Sequence, residues 1–374
     1  MQSPLLKQNK KRHSNNMSFR LCFKKNCSGN TLRSLQKERA SLSRRQRPSA
    51  MPCFLLGTLF CSLLGCPSGR PNEEPDVVIA VDAGPTEIEI PERALHAMTY
   101  NVERLFDPVC DTGNCSPGSY EALPDEGRFF AHARLVAQGI DAVGPDLVFL
   151  QEVENQNGIN AIQGELEFPF STAIIGESGT PASIDVAILA RGELVDIVRH
   201  RQESIPLPFG GQTTFAREFL EVHLDIQGSR VIAFAAHFKS KANDDPERRL
   251  AEAQTAFRIV KGVAAQNPDA LVVMGGDLND TPFSAPLAAL TSDGTLYRVA
   301  SELGDAAATY FYRSPLAIDH LFVATTASGA FVEGSAAVFG FPDGYYGSDH
   351  STLTGYFSLP SIDVIKEKGR DNRP

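Results

Sequence analysis

The sequence predicts an α/β domain whose core is one sheet packed on another. Three observations carry that reading. Helical and strand patterns alternate in the first half of the folded region, strands dominate the second half, and roughly 280 residues are available for one hydrophobic core.

The elements follow in order. "ALHAMTYNV" reads as a strand, "EGRFFAHARLVAQGIDAV" as an amphipathic helix and "PDLVFLQEV" as a buried strand. "SIDVAILA" and "ELVDIVRH" are two more strands, with Gly192 at the turn between them. "TFAREFLEVHLDIQGSRVIAFAAHF" is a hairpin closed by Gly228. "DPERRLAEAQTAFRIVKGVAAQ" is a long helix, with Asp245 near its cap and Pro246 in its first turn. "DALVVMGGDLN", "AIDHLFVA", "GAFVEGSAAVF" and "STLTGYFSL" complete the strands. No internal repeat is evident.

Charge separates the chain into unlike parts. The whole carries a net charge of −10, yet residues 1–50 hold 13 Lys/Arg and one Glu. From residue 51 onward the balance is 22 basic against 44 acidic residues, a net of −22. The basic head 1–50 is polar, without period, and reads as a disordered segment or as a mis-assigned start ahead of Met17 or Met51. Residues 51–66, "MPCFLLGTLFCSLLGC", follow Arg44, Arg45 and Arg47 and are too short to span a bilayer as a helix. They resemble a bacterial lipoprotein signal, with Cys66 as the lipidated residue; an ordinary secretory signal or an uncleaved anchor is the alternative. Residues 67–93 read as an acidic flexible tether, 94–360 as the domain and 361–374 as a polar tail.

Cysteine usage fits export. Five of the seven Cys lie in the head or signal. Cys110 and Cys115, in "CDTGNC", flank a Gly-containing turn and are expected to form a small-loop disulfide, since a zinc site would need two more ligands nearby.

Six strand ends carry polar groups. They are Asn101 with Glu103, Gln151 with Glu152, His237 with Lys239 and Lys241, Asp277 with Asn279, Asp319 with His320, and Asp349 with His350. Taken singly, a strand-end Asp or Asn is a turn residue, an apolar-strand His is a core residue, and the lysines are a solvated face. Taken together they describe ends of one sheet face that could converge on a single site.

"MTYNVERLFD", "PDLVFLQEVEN", "SIDVAILARG", "FAREFLEV", "AAHFKSK", "MGGDLNDTP", "AIDHLFV" and "GSDHSTL" resemble, in order, motifs of the endonuclease/exonuclease/phosphatase superfamily, the fold of pancreatic deoxyribonuclease. The likeness spans roughly residues 96–357 and is nearest to secreted bacterial nucleases of that superfamily. It implies a four-layer α/β sandwich, two packed, mainly antiparallel sheets flanked by helices. It also implies a metal-dependent phosphodiester hydrolase that drives in-line attack of an activated water.

By that resemblance, Glu152 is the principal ligand of a divalent metal, magnesium first, with manganese or calcium as options. Asp349 lies in or near the metal shell, and Glu103 is a further acid. Asn101 and Asn279 hold the scissile phosphate and the water. Asp277 accepts a proton from that water or orients it. His350 contacts the phosphate, oriented by Asp319, and His237 acts from the other side with Asp185 as its partner. Arg217 and Lys239 contact phosphate, with Lys241 close by. His132, His223 and His320 receive no role.

The implied substrate is DNA or RNA outside the cytoplasm, for a monomer tied to a membrane only by its lipid. The alternative is a phosphomonoesterase or a lipid phosphodiesterase, sphingomyelinase-like or inositol-phosphatase-like, because fold does not fix substrate. A non-catalytic module is disfavoured, since every expected catalytic position holds a competent residue. The acidic body argues against long, tight binding to polyanions. No dedicated DNA-binding domain or aromatic single-strand platform is visible, and Trp is absent.

Overall fold

A computed structural model describes residues 88–360 of the chain. The basic head, the signal with Cys66, most of the tether and the polar tail lie outside the described residues.

The chain begins with β1 (Ala94–Leu105), α1 (Glu126–Val143), β2 (Leu147–Val153), α2 (Gln156–Glu165), β3 (Thr172–Gly176), β4 (Asp185–Ala190) and β5 (Glu193–Arg199). A small ribbon, β6 (Ile205–Pro206) with β7 (Gln212–Thr213), precedes the hairpin of β8 (Leu220–Ile226) and β9 (Ser229–His237). Then come α3 (Pro246–Gln266), β10 (Leu271–Asp277), α4 (Ala285–Thr291), β11 (Leu296–Arg298) and a 3-10 segment, Val299–Ala307. A second ribbon, β12 (Tyr310–Tyr312) with β13 (Ser314–Leu316), leads to β14 (Asp319–Ala324), β15 (Ala337–Phe339) and β16 (Thr352–Ser358).

Twelve of the strands form two six-stranded sheets, ordered β15-β16-β1-β2-β4-β3 and β11-β14-β10-β9-β8-β5. Each sheet has one parallel pair, β1 with β2 and β9 with β10, and its other pairings are antiparallel. This pattern builds the site. The carboxyl ends of the parallel pairs and the amino ends of their antiparallel neighbours β4, β14 and β16 fall at the same end of their sheets.

Period-two alternation sorts the side chains into three cores. Ala97, Phe149, Val186, Val222, Ala233, Val273, Leu321 and Leu353 fill the space between the sheets. Met98, Val148 and Leu150 face outward and pack on Phe129, Val136 and Ile140 of α1. Val272, Met274 and Phe322 do the same on the other side, against Ala253 and Val260 of α3 and Leu287 of α4. The result is helix, sheet, sheet, helix, the four-layer sandwich. Strands buried on both faces read as near-continuous apolar runs. Each large apolar side chain removed from water contributes about 1.5–3 kcal/mol.

The long helices start and stop on local chemistry. Asp125 caps α1 by accepting from the Arg128 amide, and Gly144 ends it at φ 65 with its N–H on the Ile140 carbonyl. Asp245 caps α3 through the Arg248 amide, with Pro246 in the first turn. In β10, a Cβ on Gly275 would stand 2.3 Å from Cδ2 of Phe149, so the facing sheet's ring needs that glycine.

Several elements differ from expectation. The strand expected over 329–339 is formed only at Ala337–Phe339, because Gly329 and Gly334 both adopt φ 83 and break the extended backbone. The hairpin begins at Leu220 rather than Thr214; the Ala216 amide donates instead to the Glu252 carboxylate of α3. Helices α2 and α4, β3 and the second ribbon were not expected from the sequence. Helix α2 contains Gly158 and Gly164, and α4 has only seven residues, too few to display a helical period.

Candidate active site

The tips of β1, β2, β9, β10, β14 and the loop before β16 surround one cavity of about 670 Å³. Glu103, Glu152, His237, Asp277, Asn279, Asp349 and His350 all line it.

Asp277 is at its floor. The carboxylate accepts from the Asn101 amide nitrogen at 3.1 Å and from the Asn279 backbone N–H at 2.8 Å. Nε2 of His237 is 3.7 Å from Oδ2 of Asp277, and Nε2 of His350 is 4.0 Å from the same oxygen. The i, i+2 spacing of Asp277 and Asn279 works because Asn279 turns to φ 53, which lets its N–H fold back on the carboxylate. Burial, reinforced by the Asp319 charge, pushes the Asp277 carboxyl up to about 7.

His350 is fixed by Asp319. Their Nδ1–Oδ2 separation is 2.9 Å, and the Tyr310 ring covers the imidazole at 4.7 Å between centroids. Burial opposes the charged imidazole, but the Asp319 carboxylate overrides it and carries His350 up to about 10. His237 goes the opposite way. It is fully enclosed beside Arg217 and His350, so burial first and then those two charges hold it neutral, well below the ordinary range. The two imidazoles are thus set in opposite protonation states within one cavity.

On the other wall Glu103, Glu152 and Asp349 form an acidic group. Glu152, at φ 67, accepts the Arg104 N–H at 3.0 Å, and Glu103, at φ 55, accepts the Asp349 N–H at 3.1 Å. Burial and then the Asp349 charge raise the Glu103 carboxyl, with Glu152 adding to the effect. Glu103, Arg104, Glu152 and Asn279 are all in the left-handed region that side chains avoid, which concentrates backbone strain at this cavity. Three carboxylates lining one wall of the cavity offer the oxygen donors that a hard divalent cation takes. Asp277, Asp319 and His350 also offer ligand atoms within 4.8 Å of one another. That triad, however, is spanned by its own hydrogen bond.

Three expected placements fail. Asp185 does not pair with His237. Its carboxylate accepts from the Ser178 N–H at 3.1 Å and the Ser183 hydroxyl at 2.6 Å, so it braces the loop before β4. Nδ1 of His237 has no partner among the described residues. Lys239 does not reach the cavity, because its ammonium donates to the carbonyls of Ser240 and Ala242, both at 2.7 Å. Lys241 lines the cavity instead, held by Asp280 at 3.1 Å. Arg217 lies behind the wall, donating to the Phe238 carbonyl at 3.1 Å. His320 is buried with Nε2 on the Asp280 carbonyl at 3.0 Å, outside the cavity. Cys110 and Cys115 are disulfide-bonded in the loop after β1.

Sequence reasoning missed Arg104, Tyr310 and Tyr312, which line the cavity. The aromatic run "TYFYR" was the available signal, but only the second ribbon brings it to the rim, with Phe311 and Tyr312 exposed.

Comparison with known proteins identifies the family and the fold. The description "Endonuclease/Exonuclease/phosphatase family" matches residues 98–350. Tyrosyl-DNA phosphodiesterase 2 of Xenopus laevis is 27% identical over 157 residues, 41% of this chain. The match spans only 38% of that relative's length. Among solved structures, TDP2 from C. elegans superposes with a TM-score of 0.51 at 19% identity, covering 72% of this chain and 76% of that one. The human Nocturnin catalytic domain with bound sulfate gives 0.51 at 17% identity, covering 73% and 97%. At such identities the structural likeness is one of fold.

Proposed function

The chain belongs to the endonuclease/exonuclease/phosphatase family and is a hydrolase of phosphoester bonds, and from that premise we propose that it is a magnesium-dependent nuclease working outside the cytoplasm. The observation that carries the reading is the cavity itself. A near-neutral carboxyl, a charged imidazole and a carboxylate wall all face one space large enough for a nucleotide.

Each side chain has a task in that reading. Asp277 takes the proton of the attacking water, since a carboxyl held at about 7 is a base of suitable strength near neutrality. The Asn101 amide and the Asn279 N–H fix the orientation of that carboxylate. His350, kept charged by Asp319, donates to a phosphate oxygen and stabilises the charge that develops there. His237 is neutral and close to Asp277, so it can hold the water without repelling the substrate's cationic partners. Glu152, Asp349 and Glu103 would hold the divalent ion, which supplies Lewis-acid neutralisation of phosphate charge.

Export as a monomeric lipoprotein belongs to the same proposal. The Cys110–Cys115 disulfide supports it, because such bonds persist in oxidising compartments. Mass spectrometry of the protein made in a bacterial host should find a lipid on Cys66; an unmodified amino terminus elsewhere leaves simple secretion. The reaction is tested by offering the purified protein plasmid DNA, RNA, sphingomyelin and inositol phosphates, with magnesium or with chelator. Magnesium-dependent cleavage of DNA or RNA is expected. Turnover of sphingomyelin or the phosphomonoesters alone would replace the nuclease reading with a lipid phosphodiesterase or phosphatase.

A further inference from the structure

A second cavity, of about 520 Å³, opens beside the catalytic one. One loop runs between them. Asp277 and Asn279 face the catalytic cavity, and Pro282 and Phe283, a few residues further along the same loop, face the second. Its other walls come from α4, β11 and the 3-10 segment, and Arg298 at the end of β11 is its basic group.

Arg298 is half-buried. The buried Arg249, by contrast, is bound to Asp280 at 2.9 Å and Asp244 at 2.7 Å. Nη1 of Arg298 is buried with no hydrogen-bond partner, and no ion pair includes its guanidinium among the described residues. The one acid on the rim loop after α4, Asp293, is taken by Lys261 and the Thr295 amide. Burial holds the Arg298 pKa below its ordinary value, tempered only by Tyr297. An arginine does not lose its proton in proteins, so the side chain stays charged and underbonded. The charge also reaches His320, whose own Nδ1 is buried without a partner, and helps hold that imidazole at about 4 after burial.

Phe283 is the second anomaly. Its side chain is fully exposed, at 102% of the reference area, and its backbone sits at φ 70. A bulky aromatic residue on a left-handed backbone is unfavourable, and here its ring is turned to water. A ligand that is anionic at one end and flat and aromatic at the other would engage both groups.

We infer that this cavity is a second nucleotide site, in which Arg298 binds a phosphate and Phe283 stacks on the base. Planar guanidinium donors suit phosphate oxygens, and base-on-aromatic stacking tolerates any sequence. The inference rests on the nucleic-acid reading of the catalytic cavity and specifies where the next nucleotide lies. The acidic body makes such a site useful. With a net charge of −22 beyond residue 50, the domain has little long-range attraction for polyanions, so retention depends on a few well-placed contacts. The same chemistry is offered by a neighbouring nucleotide of a bound strand and by a free mononucleotide.

The test uses His350→Ala protein, which keeps the substrate intact, without added metal. Binding of a labelled short oligonucleotide is read by fluorescence anisotropy and binding of AMP by calorimetry. Arg298→Gln should weaken binding about tenfold or more, and Phe283→Ala should weaken it several-fold. Arg298→Lys, which keeps the charge without the fork, should lie between. Loss for the oligonucleotide alone assigns the site to a bound strand; loss for AMP as well assigns it to free nucleotide too. Arg298→Gln and Phe283→Ala proteins that bind both probes within about twofold of the parent would overturn the inference, as would a parent that binds neither. Hydrolysis by the wild type is scored separately. A wild type that cleaves nucleic acid while Arg298→Gln binds normally defeats this inference and leaves the nuclease reading standing. A wild type that cleaves none defeats that reading, and the AMP titration still reports on Arg298.

Discussion

Nδ1 of His350 lies 2.9 Å from Oδ2 of Asp319, and both side chains are buried at the end of the sandwich where the strand tips meet. The pair is aimed at Asp277, whose Oδ2 is 4.0 Å from Nε2 of the same imidazole. Three side chains from three segments therefore act as one charged unit, and the unit makes distinctive demands.

His350→Ala should lower the rate of phosphodiester hydrolysis on the order of a hundredfold or more, because it removes a group working on the phosphate. Asp319→Asn should give a smaller loss of the same kind, since it only orients and charges the imidazole. The double variant should be no slower than His350→Ala, because groups acting as a unit are non-additive. Steady-state rates of the three proteins decide it. Losses that multiply would show that the two residues act separately.

The pair also sets a pH dependence of stability. An unfolded chain releases the His proton near about 6.5 and the Asp proton near about 3.9. In the fold His350 is carried up to about 10 and Asp277 up to about 7. A raised value means the stabilising protonated form is fully present below the unfolded pKa and is lost as pH rises through the folded one. Asp277 therefore accounts for a decline between about pH 4 and about pH 7, and His350 for one between about pH 6.5 and about pH 10. Melting curves of metal-free protein should show the alkaline decline, and His350→Ala should flatten it. Equal slopes for the two proteins would mean that His350 is not held charged.

The carboxylates Glu103, Glu152 and Asp349 should respond to the divalent ion directly. Magnesium should raise the melting temperature by relieving their repulsion, and chelator should reverse the rise. At about a hundredfold excess over Kd the gain is about 2.7 kcal/mol. Glu152→Gln keeps the shape but loses a charge, so its magnesium-induced shift should be smaller and its rate partly restored by excess metal. A full shift in Glu152→Gln would place the ion elsewhere.

Arg249 ties the loop after Asp277 to α3 through Asp280, with Nε at 2.9 Å from the carboxylate. Arg249→Met leaves Asp280 enclosed with only Lys241, and breaking a buried pair costs about 3 kcal/mol. Urea denaturation should show that loss as a lower midpoint. Activity should fall as well, because Asn279 is carried on the same loop. An unchanged midpoint would show that the pair contributes nothing.

What the sequence determined by itself is what local chemistry encodes. The span 126–143 appears as α1 because its apolar spacing and Gly144 act within a few residues. The Asp245–Pro246 start of α3 and the Gly228 turn of the β8–β9 hairpin are local in the same way. The polar tips of apolar strands were equally legible, since a buried strand must change character where it ends. The tertiary structure alone decided which tips meet, because the lateral order of the strands joins segments far apart in the chain. Asn101 reaches Asp277 across 176 residues, and Tyr310 covers His350 because an unpredicted ribbon puts it there. Asp185 turns to its own loop and Lys239 to nearby carbonyls for the same reason. A side chain bonds to whatever partner the assembled fold leaves within reach, and spacing along the chain does not record that choice.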